Sequence, residues 1–374
     1  VPKFPGFCGP SNTQASRTVD AELTVNVYMR IVDAGSPKAG GSLYKAPGLA
    51  PFAYLGNGPV RASFAQDGRC TGVGGNTFYE VLPSGNVTAY NSLPLKTNGN
   101  PATISSSGAQ GHQQFITSGG EGYIFDTNAY TLTPIFDSDF PSECVQGLFF
   151  KGYFWALSGA DGRVQSSKQY NGLIWNSLDF VIESDFSDQV IAIARTHDNL
   201  WLFGTRNTAP WAFTGEGNQS IVPIQGAIIE HGCGAAFSVV SLDNTLYWLG
   251  RDENGSGIVW RASGYTPVRI STHAVEAALA EVSEYGQAVA WAYQEQGHTF
   301  YVLYVPGLET SWVYDIATQQ WHERGHWSAE LGRYRPYRGM NHCYAFGRHL
   351  VGDRESGALY TQSMDILNNT VVAA

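Results

Sequence analysis

One local pattern recurs from about residue 76 to the C-terminal region, and it constrains the fold more than any other feature of the sequence. A short aromatic or branched run meets a turn rich in Gly, Asp or Asn, and a second short run follows. Examples are Asn76-Thr-Phe-Tyr-Glu-Val-Leu82 with Val87-Thr-Ala-Tyr90, Asn199-Leu-Trp-Leu-Phe203 with Ala209-Pro-Trp-Ala-Phe213, and Asn244-Thr-Leu-Tyr-Trp-Leu249 with Ile258-Val-Trp-Arg261. Each unit reads as a β-hairpin. Taking Phe78, Tyr123, Phe154, Trp201, Tyr247, Phe300 and His349 as one anchor per hairpin gives spacings of 45, 31, 47, 46, 53 and 49 residues. Apart from the value of 31, these lie near the period of a propeller blade.

Further short apolar runs precede several hairpins by a few residues: Gln189-Val-Ile-Ala-Ile-Ala194, Ala235-Ala-Phe-Ser-Val-Val240 and Gln287-Ala-Val-Ala-Trp-Ala-Tyr293. They extend each hairpin to a three- or four-stranded meander. A lone sheet of this size exposes both faces and both edges, whereas radial packing buries the faces and leaves only short edges. The alternative, a β-sandwich, would need about 28 short strands and would be unusually large. The expected fold is therefore all-β: a β-propeller with six or seven blades of short antiparallel meanders. One short helix is expected near 273–282, where His273-Ala-Val-Glu-Ala-Ala-Leu-Ala-Glu-Val282 is rich in helix formers. Ser271 and Thr272 stand at its N-terminus, and Val275, Leu279 and Val282 fall on one face. Residues 1–50 are expected to form an N-terminal strand and extended segment that closes the ring or contacts a neighbour, and residues 51–374 the propeller.

Composition agrees with this fold. Among 374 residues there are 43 Gly and 17 Pro, with 13% aromatic and only 14% charged residues, as many short strands and tight turns require. The net charge of −10 argues against nucleic-acid binding as the main activity. The one basic stretch, Arg333-Tyr-Arg335-Pro-Tyr-Arg338, reads as a solvated loop. The five cysteines, Cys8, Cys70, Cys144, Cys233 and Cys343, are far apart and form no C-x-x-C pair. They read as small buried residues and not as a disulfide framework or zinc site. No apolar run is long enough to span a membrane. The first residue, Val1, and the abrupt end at Ala374 suggest a processed or trimmed product.

Candidate chemistry is sparse. His322-Glu-Arg-Gly-His326 matches H-E-x-x-H, in which a helix brings two zinc-binding His to one face and the Glu, here Glu323, acts as base. Here the string follows Asp315-Ile-Ala-Thr-Gln-Gln-Trp321, contains Gly325 and lacks a cap, so it reads as strand and loop. His342 or Glu330 would have to supply a third ligand. Asp67, Glu143, Asp185, Glu230, Glu276 and Glu295 are candidates for paired carboxylates of sugar chemistry, but sequence spacing in a propeller does not bring any two together. Asp243-Asn244, Asp252 and Asp353 read as turn residues. No nucleophile elbow or Walker loop is present. The ten Trp read mainly as packing between blades. The expectation is no catalytic, cofactor-binding or metal site, no cofactor, and no enzymatic activity.

A longer series of motifs carries a resemblance. It runs from Gly172-Leu-Ile-Trp-Asn-Ser-Leu-Asp-Phe180 through Gln225-Gly-Ala-Ile-Ile-Glu-His-Gly-Cys-Gly234 and Trp248-Leu-Gly-Arg-Asp-Glu-Asn-Gly255. It continues through Arg269-Ile-Ser-Thr-His-Ala-Val-Glu276 to Trp312-Val-Tyr-Asp-Ile-Ala-Thr-Gln-Gln-Trp-His-Glu-Arg324. With Leu23-Thr-Val-Asn-Val-Tyr28 and Lys45-Ala-Pro-Gly-Leu49, this resembles the packaged-DNA stabilisation (tail hub, tail accessory) proteins of short-tailed bacteriophages. The resemblance implies a β-propeller in the virion tail, assembled in the host cytoplasm and attached below the portal and adaptor. It further implies a role in closing the DNA exit channel, retaining packaged DNA and attaching other tail components. The implied partners are portal, adaptor and other tail proteins and copies of the chain in a ring around the tail axis. Contact with exiting DNA would be incidental, and no membrane is involved. The readings that compete with it are a glycan-binding or glycan-processing propeller, a zinc protease, and a scaffold propeller in a cell.

Overall fold

A computed structural model describes residues 9–13, 21–31, 41–182, 188–196, 198–215, 221–252, 255–283 and 285–372. Seven antiparallel sheets succeed one another along the chain. Blade 1 comprises strands Val60–Gln66, Arg69–Gly74, Thr77–Val81 and Val87–Tyr90. Blade 2 comprises Thr103–Ser106, Gln113–Ser118, Glu121–Asp126 and Thr131–Pro134. Blade 3 comprises Cys144–Phe150, Tyr153–Ser158, Val164–Lys168 and the long Asn171–Val181. Blade 4 comprises Val190–Arg195, Asn199–Gly204, Thr208–Phe213 and Ile221–Pro223. Blade 5 comprises Val240–Leu242, Thr245–Arg251, Gly257–Ser263 and Thr266–Arg269. Blade 6 has five strands, from Val289–Glu295 to Gln320–Ser328 and Arg333–Pro336. Blade 7 takes Gly339–Ala345, Arg348–Asp353 and Ala358–Ser363 from the C-terminal region and its outermost strand, Gly48–Tyr54, from the N-terminal region. The first strands of successive blades touch around the ring, and blade 7 touches blade 1. The fold is thus an all-β, seven-bladed propeller.

Local chemistry repeats with the blades. The turn after the first strand is a two-residue turn with both residues at positive φ in blades 1, 3, 5, 6 and 7: Asp67-Gly68, Lys151-Gly152, Asp243-Asn244, Gln296-Gly297 and Phe346-Gly347. This geometry matches the strand twist. In blades 1, 3, 4 and 7 the register skips one residue at the start of the first strand. Such bulges increase twist and re-aim a side chain. In blade 1 the skipped residue is Arg61, which donates to the carbonyls of Gly75 and Asn100 and to the Ser118 hydroxyl, joining blade 1 to blade 2. The spacing of 31 in the sequence has a simple origin. Phe78 and Tyr123 lie on third strands, whereas Phe154 and the later anchors lie on second strands.

Apolar clusters fill the spaces between neighbouring blades. One includes Trp155, Leu157, Leu200, Leu202 and Trp211 of blades 3 and 4, and another Trp201, Phe203, Trp248 and Ile258 of blades 4 and 5. Burying one such aromatic contributes about 2–3 kcal/mol. The helix His273–Ala280 links blades 5 and 6, with Val275 and Leu279 buried. Its N-cap Thr272 makes no side-chain capping bond; instead Ser271 donates to Glu276 in the first turn, 2.6 Å away. The run Ala235–Val240, expected as strand, divides into a 3-10 turn at Ala236–Ser238 and the short strand Val240–Leu242. At the ring closure, Leu55 N–H donates to the Gly357 carbonyl at 2.7 Å. A Cβ on Gly357 would lie 1.7 Å from the Gly56 carbonyl oxygen, so only glycine fits there.

Candidate functional site

The H-E-x-x-H string lies wholly on the fourth strand of blade 6, Gln320–Ser328, where strand and loop were expected. Side chains four residues apart on a strand share a face but stand about 13 Å apart, too far to bind one metal ion. His322 is buried beside the rings of Tyr28 and Phe300. Burial, with the charge of Arg324 and then His298, holds its pKa well below the usual imidazole range. Of the proposed third ligands, Glu330 is exposed, and His342 on the first strand of blade 7 hydrogen-bonds His349 at 3.0 Å. Among the described residues, no group of three or more His, Cys, Asp or Glu is placed to hold a metal.

Glu323 has a different partner set. It receives hydrogen bonds from the Ser11 and Thr310 hydroxyls and is buried. Around it the N-terminal arm adds to the outer edge of blade 6. Ser11 N–H donates to the Trp321 carbonyl at 2.9 Å, Glu323 N–H to Thr24 at 2.9 Å, and Asn26 N–H to Glu323 at 2.8 Å. The Asn26 amide both donates to and accepts from Gly325, at 2.9 and 3.0 Å. The arm continues into Val27–Ile31, paired with Gly41–Lys45, and seats Tyr28 in the core against His298 and Phe300, with ring centroids 5.0 and 5.2 Å away. Sequence reading found Glu323 and the run Leu23–Tyr28 but not Ser11, and did not join them; no local pattern marks partners some 300 residues away.

The described sugar-chemistry carboxylates sit on different elements. Asp67 sits in the first turn of blade 1, Glu143 just before blade 3, Glu230 between blades 4 and 5, and Glu295 at the end of the first strand of blade 6. Asp67 and Glu143 line different cavities, and Glu276 is paired with Arg269. Asp185 lies outside the described residues, as do His197 and Cys8. The other four cysteines are free and buried, as expected.

The basic stretch is not a solvated loop. Arg333–Pro336 forms the fifth strand of blade 6, and each arginine has a carboxylate: Arg333 has Glu309, Arg335 has Glu355, and the buried Arg338 has Asp353 and Glu355. The 3-10 turn Ala236–Ser238 precedes the first strand of blade 5 and bonds to blades 3 and 6. The Ala236 carbonyl accepts from Gln146 of blade 3 at 2.8 Å, and the Ser238 carbonyl accepts from Tyr301 of blade 6 at 3.0 Å. Phe237 reaches a cavity of about 320 Å³ lined mainly by the loops of blades 1 to 3.

Apolar side chains are exposed along the outer rim of blades 3 and 4. Leu178 is 73% exposed and Ile182 53%, and Leu173, Ile174 and Val222 are exposed as well. A groove of about 410 Å³ runs between Leu178, Phe180, Ile182, Trp211 and Val222. A patch of this kind marks a protein interface more readily than a catalytic pocket.

A family model described as "Bacteriophage P22 Gp10, beta-propeller" matches residues 9–367. The chain belongs to this family. It is a structural, non-enzymatic protein of a bacteriophage virion, with a tail accessory role. No curated protein sequence matches it. Solved structures with a similar fold include the N-terminal domain of Nup159 (TM-score 0.53, 9% identity, covering 92% of this chain and 99% of that one). Another is the extracellular domain of BT4673 from B. thetaiotaomicron (TM-score 0.53, 11% identity, 90% of this chain and 45% of that one). A third is a chain of the mitotic checkpoint complex (TM-score 0.51, 13% identity, 97% and 98%). At these identities they share the propeller architecture alone with this Gp10-family chain.

Proposed function

We propose that this Gp10-family chain is a tail hub component that attaches below the portal and adaptor, assembles with copies of itself around the tail axis, and helps to retain packaged DNA. The observation that carries this reading is the family match over residues 9–367. Three structural features support it. The Ala236–Ser238 turn bonds to blades 3 and 6, which braces the propeller as a rigid structural part. The basic side chains of 333–338 are engaged by carboxylates, which suits a wall that DNA passes without being held. The apolar rim of blades 3 and 4 supplies a surface for contact with a neighbouring subunit, and heterologous contacts of this kind close into rings. In this reading residues 1–50 are an N-terminal strand and extended segment that closes the ring or contacts a neighbour, and residues 51–374 the propeller. Electron microscopy of the source virion tests the proposal. A ring of this chain directly below the adaptor is expected; a virion lacking it there, or particles that keep their DNA equally well without the chain, would refute it.

A further inference from the structure

Two thiols meet at the ring closure. Cys70 lies on the second strand of blade 1 and Cys343 on the first strand of blade 7. Their sulfurs are 3.8 Å apart, and both side chains are buried among Leu55, Val60, Leu350 and Leu359. A disulfide bond is about 2.0 Å long, so bond formation asks for an approach of under 2 Å shared between two neighbouring strands.

We propose that Cys70 and Cys343 form an oxidisable latch: thiols while the chain is made, and a disulfide once the protein meets a peroxide-class oxidant. The step balances with hydrogen peroxide. The Cys343 sulfur attacks one peroxide oxygen, the O–O bond breaks, and the departing hydroxide takes the thiol proton, leaving a sulfenic acid and one water. The Cys70 sulfur then attacks the Cys343 sulfur, the S–O bond breaks, and the departing hydroxide takes the Cys70 proton as a second water. Two thiols are oxidised by two electrons and one peroxide is reduced. The assignment of roles follows the surroundings. The hydrogen bond from Cys70, against burial, holds the Cys343 thiol below the usual thiol range. The hydrogen bond to Cys343, then burial, pushes Cys70 up. Cys144 and Cys233 are also buried, but each hydrogen-bonds a backbone carbonyl.

The location gives the latch its consequence. Blade 7 is held shut by pairing between Ala358–Ser363 and Gly48–Tyr54, and Gly48–Tyr54 leads directly into blade 1. A Cys70–Cys343 bond would tie the three C-terminal strands to blade 1, so the ring would stay joined even when that pairing opened. Purified full-length protein treated with dilute hydrogen peroxide, then denatured and alkylated, is expected to lose two of its five thiols. A non-reducing peptide map should contain one linked pair, 70 with 343. The oxidised protein should also unfold in denaturant at least tenfold more slowly, and dithiothreitol should reverse both changes. Cys343→Ser should abolish the linked pair and the slowing, while Cys8→Ser should retain both. Five alkylatable thiols after oxidation, over-oxidation without a link, or a link through any other cysteine would overturn the proposal. The wild-type peptide map decides it even if Cys343→Ser does not fold.

Discussion

Removing the Glu323 carboxylate is expected to release the N-terminal arm from blade 6. The side chain accepts two hydrogen bonds, from Ser11 of the arm and Thr310 of the blade. Hydrogen bonds to a charged group contribute about 1.5–3 kcal/mol each, and Glu323→Ala also removes the cost of burying the carboxylate. A net loss of about 3 kcal/mol follows. Spread over the whole chain, this lowers the melting temperature by only about 4 °C. The opening of the arm is local, however, and only the Ser11 bond crosses to the arm; losing its roughly 1.5–3 kcal/mol raises the open population about 10- to 150-fold. The sharp readout is therefore amide hydrogen exchange at Asn26 and Glu323, whose N–H groups bond across the junction. Glu323→Gln keeps one carbonyl acceptor and should cost about half as much. Exchange at both amides unchanged in Glu323→Ala would show that the carboxylate is not the clamp. A hydrolytic activity abolished by Glu323→Gln at unchanged stability would instead restore the metal-centre reading.

Two further outcomes follow from buried polar groups. Burial, then the neighbouring His349, lowers the His342 pKa to about 3, so the folded protein holds this ring neutral while the unfolded chain binds a proton below about 6.5. Its contribution is complete above about pH 6.5 and is lost as pH falls towards 3. At pH 5 the loss is about 2 kcal/mol, visible as a lower urea midpoint than at pH 7, and His342→Gln should narrow that difference; equal midpoints for the wild type at both pH values would refute it. Arg338→Met leaves Asp353 buried without its cationic partner and should cost about 3–5 kcal/mol in urea unfolding. The further change Asp353→Asn should recover part of that, and a single variant as stable as wild type would contradict the account.

Much of the fold was legible in the sequence because each blade repeats its own local chemistry. Thr245-Leu-Tyr-Trp-Leu249 is a short branched and aromatic run buried on both faces, and it is preceded by Asp243-Asn244, both at positive φ. Blade number stayed open at six or seven for two physical reasons. The last blade borrows Gly48–Tyr54 from the other end of the chain, and the run Ala235–Val240 gives up part of its length to a 3-10 turn whose hydrogen-bond partners, Gln146 and Tyr301, are distant in sequence. The H-E-x-x-H string was visible, and so was its wrong setting, because helix and strand periods place i and i+4 differently. Its actual role was hidden: the Ser11–Glu323 bond spans 312 positions, and Ser11 lies in no motif. The arginines of 333–338 misled for the same reason, since Glu309, Asp353 and Glu355 lie outside the stretch they neutralise.

The borrowed strand also sets a timetable. Gly48–Tyr54 leaves the ribosome early, yet its partner Ala358–Ser363 follows about 300 residues later. At ordinary synthesis rates the early strand waits roughly 15–60 s with one edge unpaired. During that interval six blades have everything they need to fold and the seventh does not. The slow step is then a loop closure between the two ends of the chain, whose cost grows only as the logarithm of the separation but which no local contact can speed. Nascent chains stalled short of residue 358 should accordingly be the species most prone to pair with one another through that waiting edge.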